Sequence, residues 1–422
     1  MSAGKSSKDI WDKLSAVSNL ISGALIAGIA LLATQLYNYR QLELSKLEAL
    51  DKFRPLLTSQ KQEEREFAYS AFVTLGHEEL AIRMISQYQD QAGKVILTGL
   101  TQSTRSEVRR SAEKALTELE RIWVLDNADP DYQSPPFDDT LTLLDNTGNI
   151  TKVMRGFNIS QTIGNNRPIA ASPNGDYVIV AENVTGNLSR YDASGDLVWS
   201  TRYTDKDVDM QGVAISSTGY AYVLTSRGTI SGHSILRLDP TDGSIKGEVQ
   251  TGGFDIVVDD DHYAVWLAGA DLKKLNLFLE SECRLDPIEW AAVSLDFDST
   301  GSIWAAERRH PQVPDSKNRL LKVDGDCKVS RIIELESSPT AVRVDRSDDS
   351  LWAVIGGKLH KFTSEGVELL SSEKGVASIT VNQRDGTVWA AGFGELLHYA
   401  ADGGLLLRRG GFSGDQKYIA IP

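Results

Sequence analysis

A chain of 422 residues exceeds what one hydrophobic core usually occupies, so more than one domain is expected. A hydrophobic fraction of 41% and a charged fraction of 24% are those of ordinary globular protein and exclude wholesale disorder. The net charge of -14 speaks against nucleic acid as a main partner, because phosphate binding depends on clustered Lys and Arg.

Residues 1–16 form a short polar head containing Lys5, Lys8 and Lys13. An uncharged run from Leu14 to Asn38 follows, centred on LISGALIAGIALLATQLY, with Trp11, Tyr37 and Tyr39 where interfacial aromatics belong. Its length matches a bilayer's hydrocarbon thickness and predicts a membrane-spanning helix over residues 17–37, with a cleaved signal peptide or a buried core helix as the alternatives. Small residues Gly23, Ala24, Ala27 and Gly28 would let two such helices pack closely and so permit a homo-oligomer. Basic residues nearly balance across the span, with a slight N-terminal excess close to it; this places the N-terminus inside and the bulk of the chain outside the cytoplasm, at an inner or plasma membrane.

Residues 41–121 change to helical periodicity. Apolar positions recur every three to four residues at Leu44, Leu47, Leu50, Phe53, Leu56 and Leu57, and again at Phe67, Ala68, Ala71, Phe72 and Leu75 before a stop at Gly76. Helices are predicted from about Glu78 to Tyr88, from Lys94 to Leu100, and after Ser103 and Thr104. The last pair, VILTGLTQSTRSEVRRSAEKALTEL, resembles a HEAT-like repeat, which implies a packed face of Val108, Ala112, Ala115, Leu116 and Leu119 and a surface for proteins or peptides. A helical spacer is the simpler alternative. The stretch DNADPDYQSPPFDD, whose residues 126–138 form the expected linker, interrupts the helical pattern and marks a domain boundary.

Residues 139–422 are repetitive. An apolar strand, a polar turn and another strand occur as TLTLLDNTGNITKV, NLSRYDASGDLVWS, SILRLDPTDGSIKGEV, DLKKLNLFLESECRL, RLLKVDGDCKVSRII, KLHKFTSEGVELLS and ELLHYAADGGLLLR. A second strand–turn–strand unit, as in AVSLDFDSTGSIWAAE and SITVNQRDGTVWAAGF, precedes six of them, and KYIAI near the C-terminus is the fragment of a seventh. Four strands per repeat of this length predict an all-β propeller. The first copy supplies only outer strands and the last only an inner one, so the termini would share a seventh blade, with IWVL at Ile122–Leu125 as its missing strand. Six blades are the alternative if the ends do not pair.

Cys283 and Cys327 fall at similar places in adjacent repeats. They are read as two free thiols, with one bridge as the alternative in an oxidising compartment.

The phrase carried by DSTGSIWAAE, RSDDSLWAV and QRDGTVWAAG resembles the NHL-repeat and streptogramin-lyase or gluconolactonase-like propellers, from about Leu141 to the C-terminus. Within that resemblance Trp304, Trp352 and Trp389 are wedge fillers between sheets and the Asp and Gly residues make turns. Its enzymes place carboxylate, His or Asn ligands at the channel mouth, often around a divalent metal. Glu182, Asn183 and Glu307 follow second strands and are the corresponding candidates for a cation such as calcium. The equivalent positions in other blades offer little, so the leading expectation is no cofactor and no catalytic residue. That expectation is a membrane-anchored, non-catalytic binding or scaffold protein recognising a protein, peptide or glycan; a metal-assisted lactonase or lyase is the alternative. Contacts are expected in the Arg308–Arg319 insertion, at Arg308, Arg309 and His310, and at Arg227 in the Ser226–Ser234 loop.

Overall fold

In the computed structural model the described residues are 52–127 and 139–422, apart from 60, 89, 120, 158, 160–166, 174, 183–184, 204–207, 228–233, 286–290, 310–311, 313–315, 393 and 413–415. The expected span at 17–37 lies outside the described residues, and among these no helix is long and apolar enough to cross a membrane. The chain divides into two compact units, Met1–Leu116 and Thr117–Pro422.

The first unit contains helices α1 (Gln62–Thr74), α2 (Glu78–Tyr88) and α3 (Lys94–Leu100) and all but the last residues of α4 (Ser106–Leu119). Gly76 stops α1 in the left-handed region at φ 77°, and His77 N–H then closes the turn on the Phe72 carbonyl at 2.9 Å. Ala68, Tyr69 and Phe72 form the buried stripe of α1, so that Phe67 and Leu75, also apolar, fall on its exposed side. On α4 the expected packed face is buried at Val108, Ala112, Ala115 and Leu116. Asp90 ties the unit's turns together by accepting from Arg65 Nε and Tyr69 Oη, each at 2.9 Å, and from Ala92 N–H at 3.0 Å.

The second unit is a seven-blade β-propeller of four-stranded antiparallel sheets. Blade 1 comprises Ile169–Ala171, Tyr177–Glu182, Asn187–Asp192 and Leu197–Arg202. Blade 2 comprises Val208–Ile215, Ala221–Arg227, Ser234–Leu238 and Ile245–Gln250; blade 3, Asp255–Asp259, Ala264–Ala268, Leu272–Asn276 and Ser281–Leu285. Blade 4 comprises Ala291–Phe297, Ile303–Arg308, Asn318–Val323 and Val329–Leu335; blade 5, Pro339–Asp345, Ser350–Ile355, Lys358–Phe362 and Glu368–Gly375. Blade 6 comprises Ser378–Val381, Val388–Gly392, Glu395–Tyr399 and Leu405–Gly410. Blade 7 is composite, with Gln416–Ala420 innermost, then Arg121–Asn127, Asp139–Asp145 and Ile150–Phe157. The strand containing IWVL therefore precedes the Pro-rich stretch and already belongs to the propeller, so residues 128–138 connect two strands of one sheet.

Each second strand that bears a Trp packs it against the next blade. Trp266 lies in a cluster with Leu295 and Ala305 of blade 4, Trp304 with Val342 and Ala353 of blade 5, and Trp389 with Ile122 and Val124 of blade 7. The cross-strand partners of Trp266, Trp304 and Trp352 are cations, Lys274, Lys322 and Lys361, which lie over the rings. Several cations at this position also cross the seam to a carbonyl in the next blade's outer hairpin. Arg190 Nη1 donates to Pro240 at 3.2 Å, Arg237 Nη1 to Leu277 at 3.0 Å and Lys361 Nζ to Ala401 at 2.6 Å.

Cys283 on the outer strand of blade 3 and Cys327 in the outer hairpin of blade 4 form a disulfide. This corrects the reading of two free thiols: the αL position of that hairpin points its side chain back at the preceding blade's outer strand, which brings the two sulfurs together.

Candidate functional site

Because consecutive strands are antiparallel, the connections from second to third strands and from one blade to the next share one end of the propeller. The turns from first to second strands and the outer hairpins share the other. Of the sequence-predicted residues, Glu182, Glu307, Arg308 and Arg309 and the backbone of Arg227 lie at the first end.

Glu307 is the penultimate residue of the second strand of blade 4 and is fully buried. Its Oε2 receives Arg319 Nη2 at 2.6 Å and Nε at 2.7 Å, a close pair from the neighbouring strand. Arg308 turns towards blade 5, where its Nε donates to the Pro339 carbonyl at 3.1 Å, and burial holds its guanidinium below the ordinary arginine value. The Arg309 backbone N–H donates to Asn318 Oδ1 at 3.1 Å, which ties the base of the loop, while the Arg309 side chain is exposed. Glu182, at the equivalent strand end in blade 1, is buried and accepts from Thr185 Oγ1 at 3.1 Å. His310 and Asn183 lie outside the described residues, and of Arg227 only the backbone at the end of its strand is described. Among the described residues no three His, Cys, Asp or Glu side chains converge as a cation cage. The register aligns Glu307 and Glu182 with a third buried acid, Asp126 of blade 7, which the sequence reading assigned to a linker.

The central channel carries a second constellation. Arg167, just ahead of the inner strand of blade 1, reaches across to blades 3 and 4. Its Nε stands 3.0 Å from Asp255 Oδ1 and its Nη2 donates to the Leu295 carbonyl. Asp255 is fully buried, and it also accepts backbone N–H groups from Ile256 at 2.9 Å and Leu295 at 3.0 Å. Burial raises its carboxyl against the pull of Arg167 and then Arg343. Arg343, on the inner strand of blade 5, donates from Nη1 to Ser294 Oγ at 3.0 Å and to the Val342 carbonyl at 2.6 Å. Burial, and then the like charge of Arg167, push its guanidinium down to about 10.

Arg167 and Arg343 line a cavity of about 660 Å³ that opens at the tight-turn end of the channel. Its mouth is formed by residues that follow inner strands, among them Pro173, Ser217, Asp260, Arg346 and Arg384. Arg346 lies over the Phe297 ring at 3.7 Å from its centroid. Sequence reading missed this site because its residues come from blades far apart in the chain. The available signal was a charge inside an apolar inner strand, as in AVRVD around Arg343.

No family model and no curated protein matches the chain. Among solved structures it is similar to the β-propeller domain of Cps50 (Swd1) from Myceliophteria thermophila, with 15% identity, a TM-score of 0.50, and 64% of this chain and 90% of that one covered. It is also similar to a functionally unknown protein from Desulfotomaculum acetoxidans, with 10% identity, a TM-score of 0.52, and 71% and 98% covered. At these identities the likeness establishes the propeller fold alone.

Proposed function

We propose that the chain is a non-catalytic binding or scaffold protein, held at a membrane by residues 17–37, whose propeller engages a protein, peptide or glycan partner. The observation that carries this reading is the asymmetry between the two ends of the propeller. Among the described residues one end consists of short hydrogen-bonded turns, whereas the strand ends Asn127 and Asp139, Arg227 and Ser234, and Arg308 and Asn318, between which the second-to-third connections are longest, face the other. Long loops on a rigid sheet scaffold are where recognition concentrates.

The helical unit, whose last two helices resemble a HEAT-like pair, supplies a second contact surface in this reading. The Cys283–Cys327 bridge supports a propeller outside the cytoplasm, since disulfides persist in oxidising compartments. A divalent cation at Glu307 would have to displace its pair with Arg319, which weighs against the metal-dependent alternative.

Arg308 also holds the seam to blade 5, so the discriminating variant is Arg309→Ala combined with His310→Ala. Partners cross-linked to the wild-type propeller in intact cells should be recovered about tenfold less with this variant at unchanged thermal stability. Equal recovery would remove the 309–317 loop from the interface.

A further inference from the structure

The channel cavity is lined by charges of both signs, Arg167, Arg343, Arg346 and Arg384 together with Asp260, Asp261 and Asp296. Arg167 is matched by Asp255. Arg343 and Arg346 line the same cavity, yet among the described residues neither has a carboxylate within 4.0 Å. Of the acids, Asp296 accepts from the Phe297 and Val344 backbone N–H groups, each at 3.1 Å, and acts on Arg343 only through its charge, Asp260 accepts from Ser217 N–H, and Asp261 is exposed.

Both hydrogen bonds of the Arg343 guanidinium leave from Nη1. Its Nε and Nη2 therefore remain available as donors. That edge of a guanidinium presents two parallel N–H groups, the geometry that grips a carboxylate or phosphate with two hydrogen bonds. Arg346, flat against Phe297, presents a second guanidinium at the mouth. Aliphatic side chains such as Ile169, Val213, Val257 and Val381 supply apolar wall, and the volume is that of a small-molecule site.

We propose that this cavity binds a small organic oxyanion, a carboxylate or phosphate carried on an apolar body, with Arg343 gripping the anionic group and Arg346 closing over it. Arg343 is half-buried with one edge of its guanidinium unused, and an anionic ligand would fill that edge while its apolar part covers the channel wall. This site lies at the opposite end of the propeller from the loops proposed to meet a partner and is independent of that reading.

The test is titration calorimetry on the full chain in phosphate-free buffer, with benzoate, phenyl phosphate and the neutral analogue benzamide as probes. Saturable binding of at least one anion and none of benzamide is expected; the tighter anion identifies the preferred group. Arg343→Gln and Arg346→Gln should each weaken binding about tenfold or more, the loss of charge-assisted hydrogen bonds, whereas Arg331→Gln on an exposed outer strand should leave it unchanged. If Arg343→Gln does not fold, Arg346→Gln at the cavity mouth decides the matter. Absence of saturable binding by both anions, equal binding of benzamide, or affinities unaffected by the cavity variants would overturn the proposal.

Discussion

Cys327 occupies a position that is glycine in most blades. At the fourth residue of the outer hairpin, the fifth in blade 2, the chain enters the left-handed region, as Gly148, Gly195, Gly243, Gly366 and Gly403 do, yet Leu279 has φ 69° and Cys327 has φ 61° there. A Cβ built on Gly403 would stand 2.0 Å from Leu370 of the preceding blade's outer strand, so glycine is what such a neighbour permits. Where the neighbour is small the rule relaxes: Leu279 faces Gly247, and Cys327 faces Cys283. The side chain tolerated at this position thus makes the bridge, closing a loop with a sequence separation of 44. Such a crosslink contributes about 4 kcal/mol by restricting the unfolded chain. Reduction is expected to expose both thiols to an impermeant maleimide on intact cells and to lower the Tm by about 10 °C. Labelling without reductant, or an unchanged Tm, would count against the bridge or its compartment.

His398 stands where blades 1 to 5 carry Arg or Lys, stacked on Trp389 with ring centroids 4.0 Å apart. Burial lowers its pKa from the ordinary 6.5, with Asp385 opposing. A depressed histidine pKa means that the unfolded chain binds more protons, so its contribution is present above pH 6.5 and is lost as pH falls from there towards the folded value. Thermal unfolding followed across that window should show a decline in stability that His398→Gln reduces; identical slopes would show that the ring does not titrate against folding.

At the scale of elements, the decisive strand is Gln416–Ala420. It pairs with Arg121–Asn127 in a register that sets Trp123 against Ala420 and Asn127 against Gln416. Ile419 and Ala420 are buried, and the strand contributes to two hydrophobic clusters on either side of blade 7. Removing Lys417–Pro422 strips the inner ladder from the closing blade and opens the channel wall. The lost hydrogen bonds and burial amount to about 5 kcal/mol, so a Tm lower by about 10 °C or more is expected. A truncated chain with unaltered stability would mean that the ends do not close the ring. The strand order of the other blades follows from turn chemistry repeated on short loops: Asp298 Oδ1, for example, accepts from Thr300 N–H at 2.9 Å and Ser302 N–H at 3.1 Å. An irregularity in the ladder just before the outer hairpin recurs in every blade, as between Lys322 and Val323.

For the whole molecule, the seven-blade architecture and the wedge role of Trp304, Trp352 and Trp389 were legible in the sequence. Period, turn residues and apolar alternation are local properties, each written within one repeat. The composite blade was legible as well, because a copy lacking inner strands and a copy lacking outer ones are visible at the two ends. What lay beyond the sequence were junctions between residues distant in the chain. The Cys283–Cys327 bridge, the pairing of Glu307 with Arg319 across a loop, and the crossing of the channel by Arg167 to Asp255 are such junctions. The Pro-rich stretch after Asn127 was misleading for the same reason, since only strand pairing reveals that its two sides share a sheet. The sequence by itself determined the blade, because a blade is stabilised by neighbours in sequence; the tertiary structure alone decided the ring, its staple and the charged floor of its channel, because closing the ring brings distant side chains within bonding distance.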